Sequence, residues 1–127
     1  MPAAKRRLLI AEDNPEIREL LRRTLSKEGY EVETANHGAD ALTLIESGQP
    51  YDLLISDVRM PEMDGEQLLQ AARRSRPDFK VILVTSFGSP DDSRRLRDLG
   101  AIGFLLKPFK IPDLLDAIEK ALSPEAA

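Results

Sequence analysis

Asp57 is the residue of this 127-residue sequence whose placement best suits chemistry. It closes a strand-like run at positions 52 to 56 and precedes a loop of turn-forming residues. Other strand-like runs also end in polar residues, which are Glu12 and Asp13 after the first run, Thr85 after a later one and Lys107 after the last. A carboxylate can act as a nucleophile toward a phosphoryl group when a metal ion and a cation neutralise the phosphoryl oxygens. These residues therefore suggest phosphoryl transfer, with Asp57 placed for attack, Lys107 for charge stabilisation and Thr85 as a hydroxyl donor.

The carboxylates of Glu12, Asp13 and Asp57 would repel one another in a shared pocket, so at least one pKa should rise unless a cation lies among them. The sequence has no Cys and a single His, which is predicted to lie in a turn away from these positions. The ligands would then be oxygens and the ion a hard cation, of which Mg²⁺ fits best because it accepts few protein ligands and keeps exchangeable waters. In a metal-free alternative, Glu12 caps a turn and Asp13 caps the first helix. That alternative explains this pair but not its combination with Asp57 and Lys107.

Short apolar runs alternate with segments of helical periodicity, a pattern typical of a parallel sheet covered by helices on both faces. The runs predict five strands, near positions 7 to 11, 31 to 35, 52 to 57, 80 to 85 and 102 to 106. A helix is predicted after each strand. Right-handed crossovers and the polar, edge-like second strand favour the strand order 2-1-3-4-5. The predicted fold is therefore α/β, a doubly wound five-stranded parallel sheet in which the ends of strands one and three lie side by side, where such sheets bind ligands.

Start signals and apolar periodicity define the helices. Asn14 can cap the first helix, and Pro15 suits its first position. The residues predicted to face the core are Ile17, Leu20, Leu21 and Leu25 in the first helix, Ala41, Leu42 and Ile45 in the second, Leu68, Leu69 and Ala72 in the third, and Leu114, Leu115, Ile118, Ala121 and Leu122 in the last. The fourth helix has only Leu96 and Leu99 as large apolar anchors. Few buried contacts predict low local stability and easy displacement of that helix.

Composition narrows the class of protein. The length fits one domain, positions 1 to 127, with a core from about 7 to 122 and a tail or the start of a linker at 123 to 127. The formal net charge of −4 offers no footprint for direct nucleic-acid binding. Every apolar stretch is far shorter than a membrane span, and the absence of Cys excludes a disulfide framework. A soluble, cytoplasmic protein with no membrane partner is expected.

In combination, these features resemble the receiver domain of two-component response regulators, over the chain from about Arg7 to Leu122. The matching segments are Glu12-Asp13, Asp57 with Met60-Pro61-Glu62-Met63-Asp64-Gly65, Thr85-Ser86, Gly100-Ala101 and Phe104-Leu105-Leu106-Lys107-Pro108-Phe109. Each segment alone is weak evidence, whereas the combination is highly specific. The flavodoxin-like fold that the resemblance implies has the same strand order that the crossovers favour.

The resemblance implies that Asp57 accepts a phosphoryl group from a phosphohistidine on a sensor histidine kinase or a phosphotransfer protein. It also implies that Mg²⁺ is held by Asp13, Asp57 and the backbone carbonyl of Arg59, and by Glu12 through a water molecule. Lys107 would pair first with the carboxylate and then with the phosphate. The Lys107-Pro108 peptide is expected to be cis, which the X-Pro bond permits at modest energetic cost.

The resemblance further implies a conformational switch. After phosphorylation Thr85 would move toward the phosphoryl group and Phe104 would pack into the vacated space, which changes the surface formed by helix 4, strand 5 and helix 5. Phe104 replaces the commoner Tyr, so we expect a somewhat easier inward rotation. Arg59 and Phe87 occupy positions that influence phosphoryl lifetime in this family, and neither is an acid or an amide. We therefore predict slow self-dephosphorylation.

The function expected from these features is a phosphorylation-activated signalling switch that controls an output partner or domain. Such a protein is not a turnover enzyme, because it catalyses only its own phosphorylation and slow dephosphorylation. The alternatives are a phosphorylation-independent, receiver-like scaffold and, with less support, a Mg²⁺-dependent aspartyl-phosphate hydrolase of the haloacid dehalogenase type. The hydrolase would need a second acid where Arg59 stands. A flavodoxin-like cofactor carrier is disfavoured because Glu12 and Asp13 would repel a phosphate.

The sequence leaves open how the switch acts on its target. The chain could be a stand-alone receiver that works through partner contacts, or an N-terminal piece of a protein with an effector domain. A phosphorylation-dependent dimer is a further expectation of the resemblance. Ile102 and Gly103 stand where some transcription-factor receivers carry acids for dimer salt bridges. That particular dimer is therefore not predicted.

Overall fold

Strands and helices alternate along the chain in the computed structural model, which describes residues 6–60, 63–85 and 90–123. The strands are β1 (Arg7–Ala11), β2 (Glu31–Ala35), β3 (Leu53–Asp57), β4 (Val81–Thr85) and β5 (Gly103–Leu106). The helices are α1 (Pro15–Lys27), α2 (Gly38–Glu46), α3 (Gly65–Ser75), α4 (Pro90–Asp98) and α5 (Ile111–Leu122). The predicted alternation of strands and helices is confirmed, and the strand bounds differ from the predicted ones by at most one residue.

The five strands form one parallel sheet in the order β2-β1-β3-β4-β5. Along its centre, Ala11 at the end of β1 pairs with Ser56 of β3, and the next residue of β3, Asp57, pairs with Val84. The chain crosses from β2 past β1 to β3, so the strand order reverses between β1 and β3. The predicted strand order is confirmed, and it brings the loops after β1 and β3 to the same edge of the sheet.

Two apolar layers enclose the sheet because successive strand side chains point to opposite faces. Leu9 of β1 and Leu54 of β3 belong to the layer under α2, α3 and α4, whereas Leu8 and Ile10 belong to the layer under α1 and α5. All four side chains are at most 1% exposed. Burying each side chain of this size contributes about 1.5–3 kcal/mol, so the sheet is a rigid base for the loops at its edge.

Local hydrogen bonds fix where α1 and α3 begin. Asn14 Oδ1 accepts from the backbone N–H groups of Glu16, at 2.9 Å, and Ile17, at 3.1 Å, as its predicted capping role requires. Asp64 and Gln67 form a reciprocal capping box, with distances of 2.8 Å and 3.0 Å. Both caps lie beside the edge of the sheet where β1 and β3 end, so they hold the loops of that edge in place.

The prediction that Leu20 of α1 faces the core is wrong. Leu20 is 52% exposed, whereas Leu21 and Leu25 are buried and Ile17 is half-buried against the sheet. Ile17, Leu21 and Leu25 follow one another at intervals of four residues and form the contacting stripe. Leu20 lies about 100° around the helix from Leu21, because an α-helix has 3.6 residues per turn, and this rotation takes it off the stripe.

The fourth helix is anchored as the sequence predicts. Leu96 is 4% exposed and lies in the layer under α2 and α3, and Leu99 is half-buried against the same layer. Arg94, Arg95 and Arg97 of the same helix are exposed.

None of the helices within the described ranges combines the length and the apolar character that crossing a membrane requires.

Candidate functional site

Three carboxylates meet where β1 and β3 end. One oxygen each from Glu12, Asp13 and Asp57 lies within 4.8 Å of the other two. Glu12 is buried, Asp13 is exposed and the Asp57 side chain is only 11% exposed. The structure therefore brings the three carboxylates together, as the predicted strand order requires.

Lys107 brings a positive charge into this cluster from the end of β5. Its Nζ donates to Asp57 Oδ2 at 2.8 Å and to Glu12 Oε1 at 3.4 Å. The backbone N–H of Lys107 also donates to the carbonyl of Thr85, at 2.7 Å, which extends the pairing of β5 with β4. The Lys107-Pro108 peptide is cis, as expected. The ammonium thus lies directly against the carboxylate that the sequence predicts to be the nucleophile.

Burial and the neighbouring charges shift two pKa values in the cluster. The pKa of Glu12 is raised, first by burial and also by the Asp57 charge and an interaction with Asp13, although the backbone N–H of Asn14 and the Lys107 charge oppose the rise. Burial would lower the pKa of Lys107, but its hydrogen bond to Asp57 and the charges of Asp57 and Glu12 raise it overall. One ammonium therefore offsets only part of the repulsion among three carboxylates, and the cluster favours a further cation.

The backbone of Asp57 is held from two sides by residues that sequence reasoning did not assign to the site. Ser56 is fully buried, and its hydroxyl donates to the carbonyl of Asp57 at 2.9 Å. Gly65 lies against the same carbonyl, because an added Cβ would be 2.4 Å from the Asp57 oxygen. A single hydroxyl within an apolar strand was the available signal for Ser56. Nothing in the sequence indicated how closely α3 approaches β3.

The residues predicted to switch lie on β4 and β5. Thr85 ends β4 and is 7% exposed, and its neighbour in β5 is Leu106. Phe104 pairs with Leu83, and its half-buried ring lies 4.9 Å from the guanidinium carbon of Arg97 in α4. Phe104 therefore lies between Leu83 of the sheet and Arg97 of the fourth helix.

The two positions predicted to affect phosphoryl lifetime differ in what the structure describes. Arg59 is exposed beside the cluster, and its backbone N–H donates to Asp57 Oδ1 at 3.4 Å. Phe87 lies outside the described residues, as do Pro61, Glu62 and Ser86 of the matching segments. Their predicted contributions stay predictions.

Comparison with known proteins gives the same family. A family model described as the response regulator receiver domain matches residues 8–119. The Transcriptional regulatory protein PdtaR of Mycobacterium tuberculosis is 44% identical over 124 residues, which cover 95% of this chain and 58% of PdtaR. The response regulator receiver protein CpdR of Brucella abortus is 38% identical over 120 residues, which cover 92% of this chain and 97% of CpdR. The chain thus spans little more than half of PdtaR but nearly all of CpdR.

A solved structure shares the fold. The response regulator protein TrrA of Thermotoga maritima, crystallised in complex with Mg²⁺-BeF, superposes with a TM-score of 0.82 at 35% sequence identity. The superposition covers 92% of this chain and 99% of that one. The parallel sheet, its strand order and the family match over most of the chain agree, and the protein belongs to the response regulator receiver domain family of two-component systems.

Proposed function

We propose that this protein is a phosphorylation-activated switch in which Asp57 accepts a phosphoryl group from a phosphohistidine of a sensor histidine kinase or a phosphotransfer protein. The observation that carries the proposal is the 2.8 Å contact between Lys107 Nζ and Asp57 Oδ2, beside the carboxylates of Glu12 and Asp13. A fixed ammonium beside a largely buried carboxylate is suited to neutralise phosphoryl oxygens. It also keeps the nucleophile oriented before the donor arrives.

In the proposed reaction a carboxylate oxygen of Asp57 attacks phosphorus and forms an O–P bond. The P–N bond of the donor breaks, and its electron pair stays on the imidazole nitrogen of the leaving histidine. Lys107 then donates to a phosphoryl oxygen instead of Asp57 Oδ2. The hydroxyl of Thr85, at the end of the adjacent strand β4, donates to another phosphoryl oxygen.

The carboxylate cluster fits Mg²⁺, which we propose as the cofactor. Its donors are all oxygens, and three carboxylates face the single ammonium of Lys107, so a divalent cation would balance the charge. The pKa of Glu12 is raised first by burial and also by the charge of Asp57. Asp13, Asp57 and the carbonyl of Arg59 would hold the ion directly, and Glu12 would hold it through water. When bound, Mg²⁺ would neutralise charge on the phosphoryl oxygens. The Mg²⁺-BeF complex of TrrA supports the same choice of cation.

Phosphorylation would be transmitted through Thr85 and Phe104 to the surface of α4, β5 and α5. An open groove of about 580 Å³ runs along this surface, and its lining includes Arg97, Phe104, Asp116 and Lys120. If Thr85 moves toward the phosphoryl group, the ring of Phe104 can follow it and leave Arg97. The groove would then change both its shape and its charge, which an output partner can recognise.

The catalytic role of the protein is limited to its own phosphorylation and slow dephosphorylation. A turnover hydrolase of the haloacid dehalogenase type has less support, since the exposed Arg59 stands where a second acid would be needed. The partners we propose are a histidine kinase or phosphotransfer protein and an output protein or domain, all in the cytoplasm.

Intact-mass spectrometry tests the proposed function. The protein is incubated with acetyl phosphate, with and without Mg²⁺, and compared with Asp57→Asn and with the control Asp52→Asn. Asp52 lies before β3, and its carboxylate accepts from the backbone N–H of Arg7 at 2.8 Å. We expect a Mg²⁺-dependent gain of one phosphoryl group that only Asp57→Asn abolishes. No gain from acetyl phosphate or from phosphorylated histidine kinases would contradict the proposal and favour a phosphorylation-independent scaffold.

A further inference from the structure

The loop between β1 and α1, residues 12 to 14, carries two of the three clustered carboxylates. Its backbone begins in the sheet, where Glu12 N–H donates to the carbonyl of Ala35 at 3.2 Å. Asn14 N–H then donates to Glu12 Oε2 at 3.3 Å. A third bond comes from α1, because Arg18 Nη1 donates to the carbonyl oxygen of Glu12 at 3.1 Å. The peptide between Glu12 and Asp13 is thus held by a side chain one helical turn away from the loop.

Arg18 differs from the other arginines of the same helix. Arg22 and Arg23 both pair with the carboxylate of Glu19, the second at 3.6 Å. Arg18 forms no ion pair within 4.0 Å among the residues that the structure describes, and its half-buried side chain reaches back to the end of β1. Its contact is therefore with the backbone that carries the site rather than with a neighbouring helix side chain.

We propose that Arg18 is a positioning residue for the divalent cation, an inference that rests on the proposed function. A peptide unit is planar, so fixing the Glu12 carbonyl also fixes the direction in which the chain enters Asp13. The spacing of the Glu12 and Asp13 carboxylates then depends on the Arg18 bond. Residues that orient metal ligands in this way typically change metal affinity by about 10–100-fold when they are replaced.

Whether replacing Arg18 weakens or tightens Mg²⁺ binding distinguishes a positioning role from a simple electrostatic one. A positive charge near a cation site repels the cation, so loss of charge alone would tighten Mg²⁺ binding. Loss of positioning would weaken it, because the loop would have to be ordered when the ion binds. Arg18→Ala removes both the charge and the hydrogen bond. Arg23→Ala removes the same charge from an exposed position of the same helix without touching the loop.

Isothermal titration of Mg²⁺ into the parent protein, Arg18→Ala, Arg18→Lys and Arg23→Ala tests the inference. We expect Arg18→Ala to bind Mg²⁺ about tenfold more weakly, near the lower end of such effects because Arg18 is only half-buried. Arg18→Lys keeps a charged donor and should restore most of the affinity. Arg23→Ala should bind as the parent does or slightly more tightly. Affinity in Arg18→Ala equal to or above that of Arg23→Ala would overturn the inference.

A second readout makes the inference independent of the proposed cofactor. Amide hydrogen exchange of residues 12 to 14 is measured without metal, and we expect about tenfold faster exchange in Arg18→Ala than in Arg23→Ala, which corresponds to losing one hydrogen bond. A parent that binds no Mg²⁺ would contradict the cofactor assignment, and the exchange data would then decide whether Arg18 orders the loop. Equal exchange would exclude that role. Thermal unfolding checks that each variant folds, and Arg18→Met, which also lacks both the charge and the donor, replaces Arg18→Ala if that variant does not fold.

Discussion

Gly65 lies so close to Asp57 that a Cβ added to Gly65 would come within 2.4 Å of the Asp57 carbonyl oxygen and 2.9 Å of the Cα of Val58. Both neighbours are backbone, so neither can rotate away as a side chain could. The amide of Gly65 also donates to the carbonyl of Val58 at 2.8 Å. The first turn of α3 therefore lies directly against the backbone of Asp57, the proposed phosphoryl acceptor.

We predict that Gly65→Ala lowers the free energy of unfolding by about 1–3 kcal/mol, the range for overpacking, because α3 must move away from Asp57. It should also slow the proposed phosphorylation of Asp57 by acetyl phosphate, since the same shift would displace the Asp57 carboxylate. Urea denaturation and intact-mass kinetics measure the two effects. Gly103→Ala is the control, because the nearest atom to its added Cβ is 3.8 Å away. Equal stability of the two variants would contradict the steric argument.

Much of the fold could be predicted because it follows from local patterns. Apolar runs of strand length, each followed by a segment of helical periodicity, give the elements, and right-handed crossovers with one polar strand give the sheet order. The parallel sheet then brings Glu12, Asp13 and Asp57 to one edge without knowledge of any side-chain contact. The position of Lys107 follows from the same reasoning, since it comes directly after β5.

What could not be predicted depends on how closely separate elements approach. Leu20 and Leu21 are equally apolar, and only the seating of α1 on the sheet makes the first exposed and the second buried. The contact of Gly65 with Asp57 and the reach of Arg18 to Glu12 likewise depend on distances between elements. No single-sequence pattern encodes these distances, whereas the caps at Asn14 and Asp64 are local.

The raised pKa of Glu12 predicts how stability changes with pH in the absence of Mg²⁺. Its ordinary pKa is 4.5, and in the folded protein burial, together with the charge of Asp57, keeps the proton bound to a higher pH. The folded state therefore binds more protons than the unfolded state between these two pKa values. Stability contributed by Glu12 is fully present below pH 4.5 and is lost as the pH rises through the folded pKa.

Glu12→Gln removes this loss, so we predict that the variant is more stable than the parent at pH 7.5 in EDTA. This advantage in the free energy of unfolding should shrink as the pH approaches 4.5. Each unit of difference between the folded and unfolded pKa of Glu12 corresponds to about 1.4 kcal/mol. Urea denaturation across the pH range measures it. Adding Mg²⁺ should reverse the order, because ligand binding stabilises the parent more strongly. A variant less stable than the parent at pH 7.5 without metal would contradict this account.

The residues at positions 59 and 87 lead us to predict a long-lived phosphoryl group. Arg59 and Phe87 supply no acid or amide to orient the attacking water, and an aromatic ring should obstruct its approach. Phe87→Glu should therefore shorten the phosphoryl half-life about tenfold, less than the roughly 10²–10⁴-fold that a general acid-base group supplies, because the new carboxylate would only orient the water. Decay of the phosphorylated mass at constant pH measures this. Phe87→Leu, which adds no polar group, is the control, and an unchanged half-life in Phe87→Glu would contradict the prediction.

Phosphorylation should change the protection of α4 and β5 more than that of the rest of the sheet. We predict altered amide exchange across positions 90 to 106 in phosphorylated protein, and unchanged exchange in β1 and β2. Hydrogen-exchange mass spectrometry before and after phosphorylation checks this, with Asp57→Asn under the same conditions as the control. Identical protection of positions 90 to 106 in both states would count against the proposed switch.

The weak anchoring of α4 makes a separate prediction about Leu96. Its side chain is 4% exposed, and Leu99 just after the helix is only half-buried against the same layer. Polar contacts of the helix include Arg95 Nη1, 2.5 Å from Glu66 Oε1, and Arg97 over the ring of Phe104. Partly exposed ion pairs of this kind contribute about 0–1 kcal/mol. Leu96→Ala should therefore release α4 locally, with faster exchange at positions 94 to 100, before the sheet unfolds.

Leu68→Ala provides the comparison, because Leu68 lies in the same apolar layer but is fully buried in α3. We expect Leu68→Ala to lower the free energy of global unfolding by about 2–5 kcal/mol, as buried Leu→Ala substitutions do. Leu96→Ala should lower it less, since a helix that detaches first no longer contributes to the global transition. If both variants lost the same global stability and exchanged uniformly, α4 would be an integral part of the folded core rather than a surface that can be displaced.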